Sequence, residues 1–75
     1  MKTPIELHVI ERVRQIRTQQ KVSQSMLGFG IGVSSGFIGQ VESQKFPTKY
    51  NLNHLNEIAK FLNCSISDFF PKESL

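Results

Sequence analysis

The sequence predicts an all-α fold of five helices, and three observations support this prediction. Apolar residues recur every three or four positions along most of the chain, which is the spacing of one helix face. A Ser, Thr or Asn precedes each apolar run, and such residues cap helix N-termini. No stretch alternates apolar and polar residues as a half-buried strand would. With 75 residues, we expect a single domain over 1–75 with a core at about residues 5–70.

The first helix is predicted to begin at Thr3 and to end near Gln20. Thr3 is an N-cap, Pro4 suits the first turn, and Glu6 completes a capping box. The apolar positions that follow are spaced by four, four and three residues and comprise Ile5, Val9, Val13 and Ile16. They indicate an amphipathic helix of about four turns.

The central stretch, about residues 23–42, reads as two short helices joined by a tight turn. Ser23 and Ser34 are placed to cap the two helices. Gly32 stands where a left-handed residue would end the first of them. The outer face of the second helix is predicted to carry Ser35, Gly36, Gly39 and Gln40. This arrangement is a helix-turn-helix unit, whose second helix can enter a DNA major groove.

The remaining chain predicts a loop and two more helices. The loop covers residues 44–50 and contains Pro47, and either Asn51 or Asn53 caps the fourth helix. The apolar face of that helix comprises Leu52, Leu55, Ile58, Ala59 and Leu62. A fifth, short helix follows a capping box at residues 65–68 and runs through residue 70.

Several short motifs in this chain match one known family. They are Val22-Ser23-Gln24, Gly28, Gly32-Val33-Ser34 and Ile38-Gly39-Gln40-Val41-Glu42, followed by Ile58 to Ser65. Over about residues 11–70 the chain resembles the phage repressor/Cro-like (XRE) helix-turn-helix family. The resemblance implies a five-helix, lambda-repressor-like DNA-binding domain. It also implies a sequence-specific transcriptional regulator whose reading helix, about residues 35–42, lies in the major groove of duplex DNA.

The resemblance and the predicted outer face together give a set of DNA-contact candidates. It comprises Gln24, Ser34, Ser35, Gly36, Phe37, Gly39, Gln40, Ser43, Lys45, Thr48 and Lys49. Gln40 can pair bidentately with an adenine edge. The resemblance implies that Gln24 contacts the DNA backbone and can also brace the reading helix. Phe37 would either pack inward or touch sugar or a thymine methyl group. The candidates after residue 42 would contact phosphates, which position a protein without reading sequence.

Two further observations concern the predicted reading helix. The family usually has longer side chains at the positions of Gly36 and Gly39. Either the two glycines let the backbone approach DNA unusually closely, or sequence discrimination is low or depends on DNA shape, and we favour the second interpretation. The family also often pairs an arginine of the first helix with the glutamate that ends the reading helix. Arg17 and Glu42 stand at matching positions, and the resemblance therefore implies a structural ion pair.

The net charge is +3 at pH 7, and the charges are unevenly distributed. Residues 12–49 hold six of the nine Lys and Arg residues but one of the six acidic residues. This positive segment contains the helix-turn-helix unit, as binding to phosphates would require. Ordinary solvated charge is the alternative interpretation.

The sequence does not indicate catalysis or metal binding. Cys64 and the scattered His8 and His54 do not match the usual spacing of a zinc site. The glycines within residues 28–32 begin a dinucleotide-binding fingerprint, but Val33 interrupts it and no strand precedes it. We therefore expect no enzyme activity, no cofactor and no metal.

The sequence also gives expectations for the cellular location and the partners of the protein. No apolar run approaches the ~20 residues of a membrane span, the N-terminus lacks a signal-peptide core, and a single cysteine suits a reducing compartment. We expect a cytoplasmic protein without a membrane partner. One reading helix covers a half-site, which favours a homodimer on a near-palindromic site. The alternative is a protein-interaction module or an antitoxin-like component with weak or no DNA binding.

Overall fold

A computed structural model describes all 75 residues as four α-helices and one short 3₁₀ helix. The α-helices are α1 (Pro4–Gln19), α2 (Gln24–Ile31), α3 (Ser35–Glu42) and α4 (Leu52–Leu62), and the 3₁₀ helix is Ile66–Phe69. The expected count of five α-helices is therefore corrected. The last segment has room for one turn between its cap and Pro71, and such short pieces commonly adopt the tighter 3₁₀ geometry.

Local capping sets the helix boundaries. Thr3 and Glu6 form the predicted capping box at the start of α1. Ser23 and Ser34 cap α2 and α3 through hydroxyl groups that accept from backbone N–H groups. Gly32 ends α2 with φ 79°, the left-handed conformation that glycine adopts without a Cβ clash. These bonds reach only three residues along the chain, which is why sequence predicts them well.

The core lies where all four helices converge. Its completely buried side chains come from every helix, including the 3₁₀ helix: Val13, Leu27, Ile38, Val41, Ile58 and Phe69. The prediction for Leu52 was wrong, since this side chain is 76% exposed. Leu52 is the first residue of α4, and its side chain lines an open groove beside Ile5 and Phe70 instead of entering the core.

The turn between α2 and α3 depends on a close approach at Gly28. A Cβ atom at this position would lie 2.9 Å from the Val33 carbonyl oxygen and 3.0 Å from that of Ser34. Both oxygens belong to the backbone and have little freedom to move. Gly28 therefore lets α2 pack directly under the start of α3. None of the helices combines the length and apolar character that a membrane crossing requires.

Candidate nucleic-acid interface

The two faces of α3 differ sharply in exposure. Ile38 and Val41 are completely buried and anchor the helix to the core. Ser35, Gly36 and Gln40 are exposed on the opposite side. The buried face therefore fixes α3 to the core, and the opposite face is accessible to solvent, as the sequence predicts.

The N-terminal end of α3 offers unpaired backbone donors. The Ser34 hydroxyl accepts from the Phe37 N–H at 3.0 Å, whereas the N–H groups of Ser35 and Gly36 have no partner within the chain. These N–H groups and the positive end of the helix dipole favour an anion such as phosphate. The missing side chain at Gly36 keeps the approach open, because no atom lies closer than 3.8 Å to the position of an added Cβ.

A buried ion pair holds the C-terminal end of α3. Arg17 of α1 donates to both carboxylate oxygens of Glu42, at 2.7 and 2.6 Å, and the two side chains are 10% and 6% exposed. The bond to Glu42 raises the pKa of Arg17 above its usual value. A further Arg17 N–H donates to the Val22 carbonyl at 2.9 Å. The pair implied by the family resemblance is thus confirmed, and it ties α3 to α1.

Gln24 joins the same cluster from α2. Its Nε2 donates to Glu42 Oε1 at 3.0 Å, which corresponds to the bracing role that the resemblance implies. Its amide also covers Gly39, where an added Cβ would lie 3.3 Å from Gln24 Oε1. The placement of Gly39 on the DNA-facing side is therefore corrected: this glycine faces α2 and makes room for the brace.

Phe37 belongs to the packed side of the interface. Its ring lies tilted against His54, with ring centroids 4.9 Å apart, and against Tyr50 at 6.3 Å. It is half-buried and packs on the core. We therefore remove Phe37 from the DNA-contact candidates, in favour of the packing alternative. The neighbouring Tyr50 hydroxyl is buried without a hydrogen-bond partner, and burial raises its pKa.

The loop after α3 carries polar DNA-contact candidates, and these differ in whether the side chain has a bonding partner within the protein. Lys45 is exposed and its ammonium group has no partner within the chain. The Lys49 ammonium instead lies 2.8 Å from a carboxylate oxygen of Glu6, and this bond is the main cause that lowers the Glu6 pKa to about 2. The Thr48 hydroxyl donates to Gln40 Oε1 at 3.0 Å. Of the two lysines, Lys45 is the one free to meet a phosphate without breaking an ion pair.

Sequence reasoning missed Lys2, which closes the C-terminal end of α3. Its ammonium group donates to the carbonyl oxygens of Val41 and Ser43, each at 2.6 Å, and to that of Gln40 at 3.4 Å. A cation is favoured there because the last carbonyls of a helix carry partial negative charge. Partial burial is the main cause that lowers the Lys2 pKa. No local pattern signals this contact, since its partners lie about 40 residues away in sequence.

The internal pairing of cations also changes the charge argument. Four of the six basic residues in 12–49 bond within the protein: Arg12 to the Asp68 carbonyl, Arg14 to Glu11, Arg17 to Glu42 and Lys49 to Glu6. Lys21 and Lys45 remain without such a partner. Because three of the four paired cations face carboxylates, the segment offers less unpaired positive charge than its composition suggests.

Residues suited to other chemistry are scattered. No group of three or more His, Cys, Asp or Glu side chains is placed to hold a metal ion. Cys64 is half-buried against the core, and burial raises the pKa of its thiol.

Comparisons with known proteins agree with this geometry. A family profile described as helix-turn-helix matches residues 13–69. Two curated relatives, from Sinorhizobium medicae (strain WSM419) and Rhizobium meliloti (strain 1021), are named uncharacterized HTH-type transcriptional regulators. Each is 34% identical over 67 residues, which cover 89% of this chain and 47% of the relative. The chain thus spans about half the length of these relatives.

Two solved structures are similar in fold. The restriction-modification controller protein C.AhdI from Aeromonas hydrophila superposes with a TM-score of 0.74 at 25% identity, over 85% of this chain and 94% of that one. The P22 c2 repressor, solved in complex with a synthetic operator, gives 0.70 at 32% identity, over 87% and 96%. Because the profile covers more than half of the chain, the protein belongs to the XRE-type helix-turn-helix family.

Proposed function

We propose that the chain binds duplex DNA as a transcriptional regulator, with α3 in the major groove. The observation that carries this proposal is the helix with one completely buried face, at Ile38 and Val41, and one exposed polar face. An α-helix with its side chains is about 10–12 Å across, and the major groove is about 12 Å wide. The regulator names of the relatives and the operator-bound repressor structure support the same function.

The proposed contacts divide by position. Ser34, Ser35 and Gly36 would meet the DNA with the open N-terminus of α3, and Gln40 would reach a base edge. Contacts to phosphate are proposed for Gln24, Ser43, Lys45 and Lys49, with Lys45 already unpaired and Lys49 first leaving Glu6, whereas the Thr48 hydroxyl lies against Gln40. Because α3 presents one long polar side chain, we expect modest sequence discrimination.

The assembly is also a proposal. One α3 spans a half-site, so a homodimer on a near-palindromic operator in the cytoplasm is the arrangement we favour. Phe70 and Leu75, 39% and 67% exposed, are available for association. The neighbouring Phe69 is completely buried, so it closes the core and does not contribute to such a surface.

The proposal is tested by measuring how duplex affinity depends on salt. Fluorescence anisotropy with a pool of random duplexes should show affinity falling steeply as salt rises, because phosphate contacts release counterions. Lys45→Ala should reduce the magnitude of the log–log slope by about 1. Lys60→Ala is the matched control, since Lys60 pairs with Glu57 on α4 and lies outside the proposed interface.

The outcome separates the two classes of function. No duplex binding at low salt would refute the proposal and favour the protein-interaction alternative. Equal slopes for the Lys45 and Lys60 variants would remove Lys45 from the interface, and binding by the unaltered chain would still support the function.

A further inference from the structure

The single long polar side chain on the exposed face of α3 is not free. The Thr48 hydroxyl donates to Gln40 Oε1 at 3.0 Å, whereas Gln40 Nε2 has no partner within the chain. Gln40 is exposed and Thr48 is half-buried. The amide oxygen is therefore held on the side of the loop, and the amide hydrogens are the unpaired part of the group.

The loop that carries Thr48 is itself anchored on both sides. Before Thr48, the Ser43 carbonyl accepts from Lys2 at 2.6 Å, and Pro47 restricts the backbone. After it, Lys49 pairs with Glu6 at 2.8 Å. The Thr48 hydroxyl thus extends from a segment bonded to Lys2 and Glu6, so it can fix the direction of a flexible side chain on α3.

We propose that Thr48 is a positioning residue that determines base specificity by fixing Gln40 as a hydrogen-bond donor. This inference rests on the proposed DNA binding. It assigns Thr48 a role different from the phosphate contact expected from sequence.

The chemistry of the base edges gives the expected preference. A freely rotating glutamine pairs with adenine by donating to N7 and accepting from the N6 amino group. With Oε1 held by Thr48, the Gln40 amide presents its two N–H donors, which match the N7 and O6 acceptors of guanine. The amino group of adenine would face those donors without an acceptor. We therefore expect guanine over adenine at the base pair beneath Gln40, in place of the adenine contact that residue type alone suggests.

The neighbouring residues on α3 should not mask this base preference. Gly36 has no side chain, Gly39 faces Gln24, and Ser35 is short. No second long side chain on the exposed face of α3 competes for the same base pair. One amide orientation should therefore account for most of the direct discrimination by this helix.

The test compares base preference among variants that remove or retain a threonine hydroxyl group. Thr48→Val removes the hydroxyl at nearly constant shape, Thr48→Ser retains it, and Thr18→Val removes a hydroxyl that donates to the Arg14 carbonyl within α1. Duplexes selected with the unaltered chain are varied at each base pair and compared by competition. The unaltered chain should prefer guanine to adenine at one pair per half-site by about fivefold or more, the scale of one hydrogen bond. Thr48→Val should abolish or reverse this preference, and the other two variants should keep it.

A second background separates positioning from direct contact. In Gln40→Ala, Thr48→Val should have no further effect on base preference, because the group it positions is gone. If Thr48 only contacted phosphate, Thr48→Val would instead weaken binding to all duplexes alike.

Each remaining outcome counts against the inference. An adenine preference in the unaltered chain, an unchanged preference in Thr48→Val, or a Thr48 effect that persists in Gln40→Ala would overturn it while leaving DNA binding intact. Absence of duplex binding by the unaltered chain would overturn both this inference and the proposed function.

Discussion

The two ends of α3 are built differently. At the C-terminal end, Glu42 bonds to Arg17 and Gln24, and Lys2 binds the last carbonyl groups. At the N-terminal end, the Ser34 cap is the one side-chain hydrogen bond, and Ser35 is exposed.

The end of α3 that is held rigidly is therefore not the end that is open to a ligand. In helix-turn-helix proteins, base contacts concentrate near the N-terminus of the reading helix. Here that end carries Ser35 and Gly36 and leaves backbone N–H groups open, whereas the opposite end is fastened to α1 and α2. The side-chain hydrogen bonds that hold α3 in place are thus concentrated at its C-terminal end, which leaves the exposed side of the N-terminal end clear for a ligand.

The largest expected effect is at the buried pair. Glu42→Gln should lower the free energy of unfolding by about 3–5 kcal/mol, because it leaves the Arg17 charge buried without its counter-charge. Glu11→Gln is the control, since the Arg14–Glu11 pair is about half exposed (side chains 46% and 48%) and such surface pairs contribute about 0–1 kcal/mol. Urea denaturation measures both variants. Equal losses would show that burial does not set the strength of the C-terminal attachment.

Gly28 in α2, which packs under the start of α3, and Gly36 in the first turn of α3 should respond in opposite directions to substitution by alanine. Gly28→Ala should destabilise by about 1–3 kcal/mol, because the new methyl group meets the Val33 and Ser34 carbonyl oxygens. Gly36→Ala should stabilise by about 0.5–1 kcal/mol, because alanine favours the helix and its Cβ enters open space. Thermal unfolding followed by circular dichroism checks both. A destabilising Gly36→Ala would contradict the open geometry described for this end.

The smallest loss of stability is expected at Lys2. Lys2→Met retains the aliphatic stem but removes the cation from the last carbonyls of α3, and should cost about 1 kcal/mol of unfolding free energy. Lys72→Met, at an exposed lysine near the C-terminus, should leave stability unchanged. Chemical denaturation of the two variants side by side gives the difference. If they match, the Lys2 contacts do not stabilise α3.

Sequence reasoning succeeded where bonds are local. The caps at Thr3, Ser23 and Ser34 and the left-handed turn at Gly32 each depend on residues within a few positions, so residue type and spacing define them. The fifth predicted helix is instead a 3₁₀ helix over Ile66–Phe69, and its tighter geometry was not predicted from sequence. The Arg17–Glu42 pair came from family resemblance, because its members lie 25 residues apart.

The same difference between local and distant contacts explains why the candidate site was predicted only in part. Helical spacing identified Ser35 and Gln40 as exposed, since one face of an amphipathic helix follows from periodicity. It did not show that Phe37 packs on His54, or that Gly39 makes room for Gln24. Those contacts require the positions of neighbouring helices, which periodicity does not supply.

The sequence by itself determined the helix boundaries, the turn at Gly32 and the identity of the exposed face, because short-range hydrogen bonds and helical periodicity encode them. Only the tertiary structure decided which polar groups are free to act. It commits Lys49 to Glu6, Lys2 to the end of α3 and the Gln40 oxygen to Thr48. Side chains distant in sequence meet only when the helices pack, and their pairing then leaves Lys45 and the open N-terminus of α3 available.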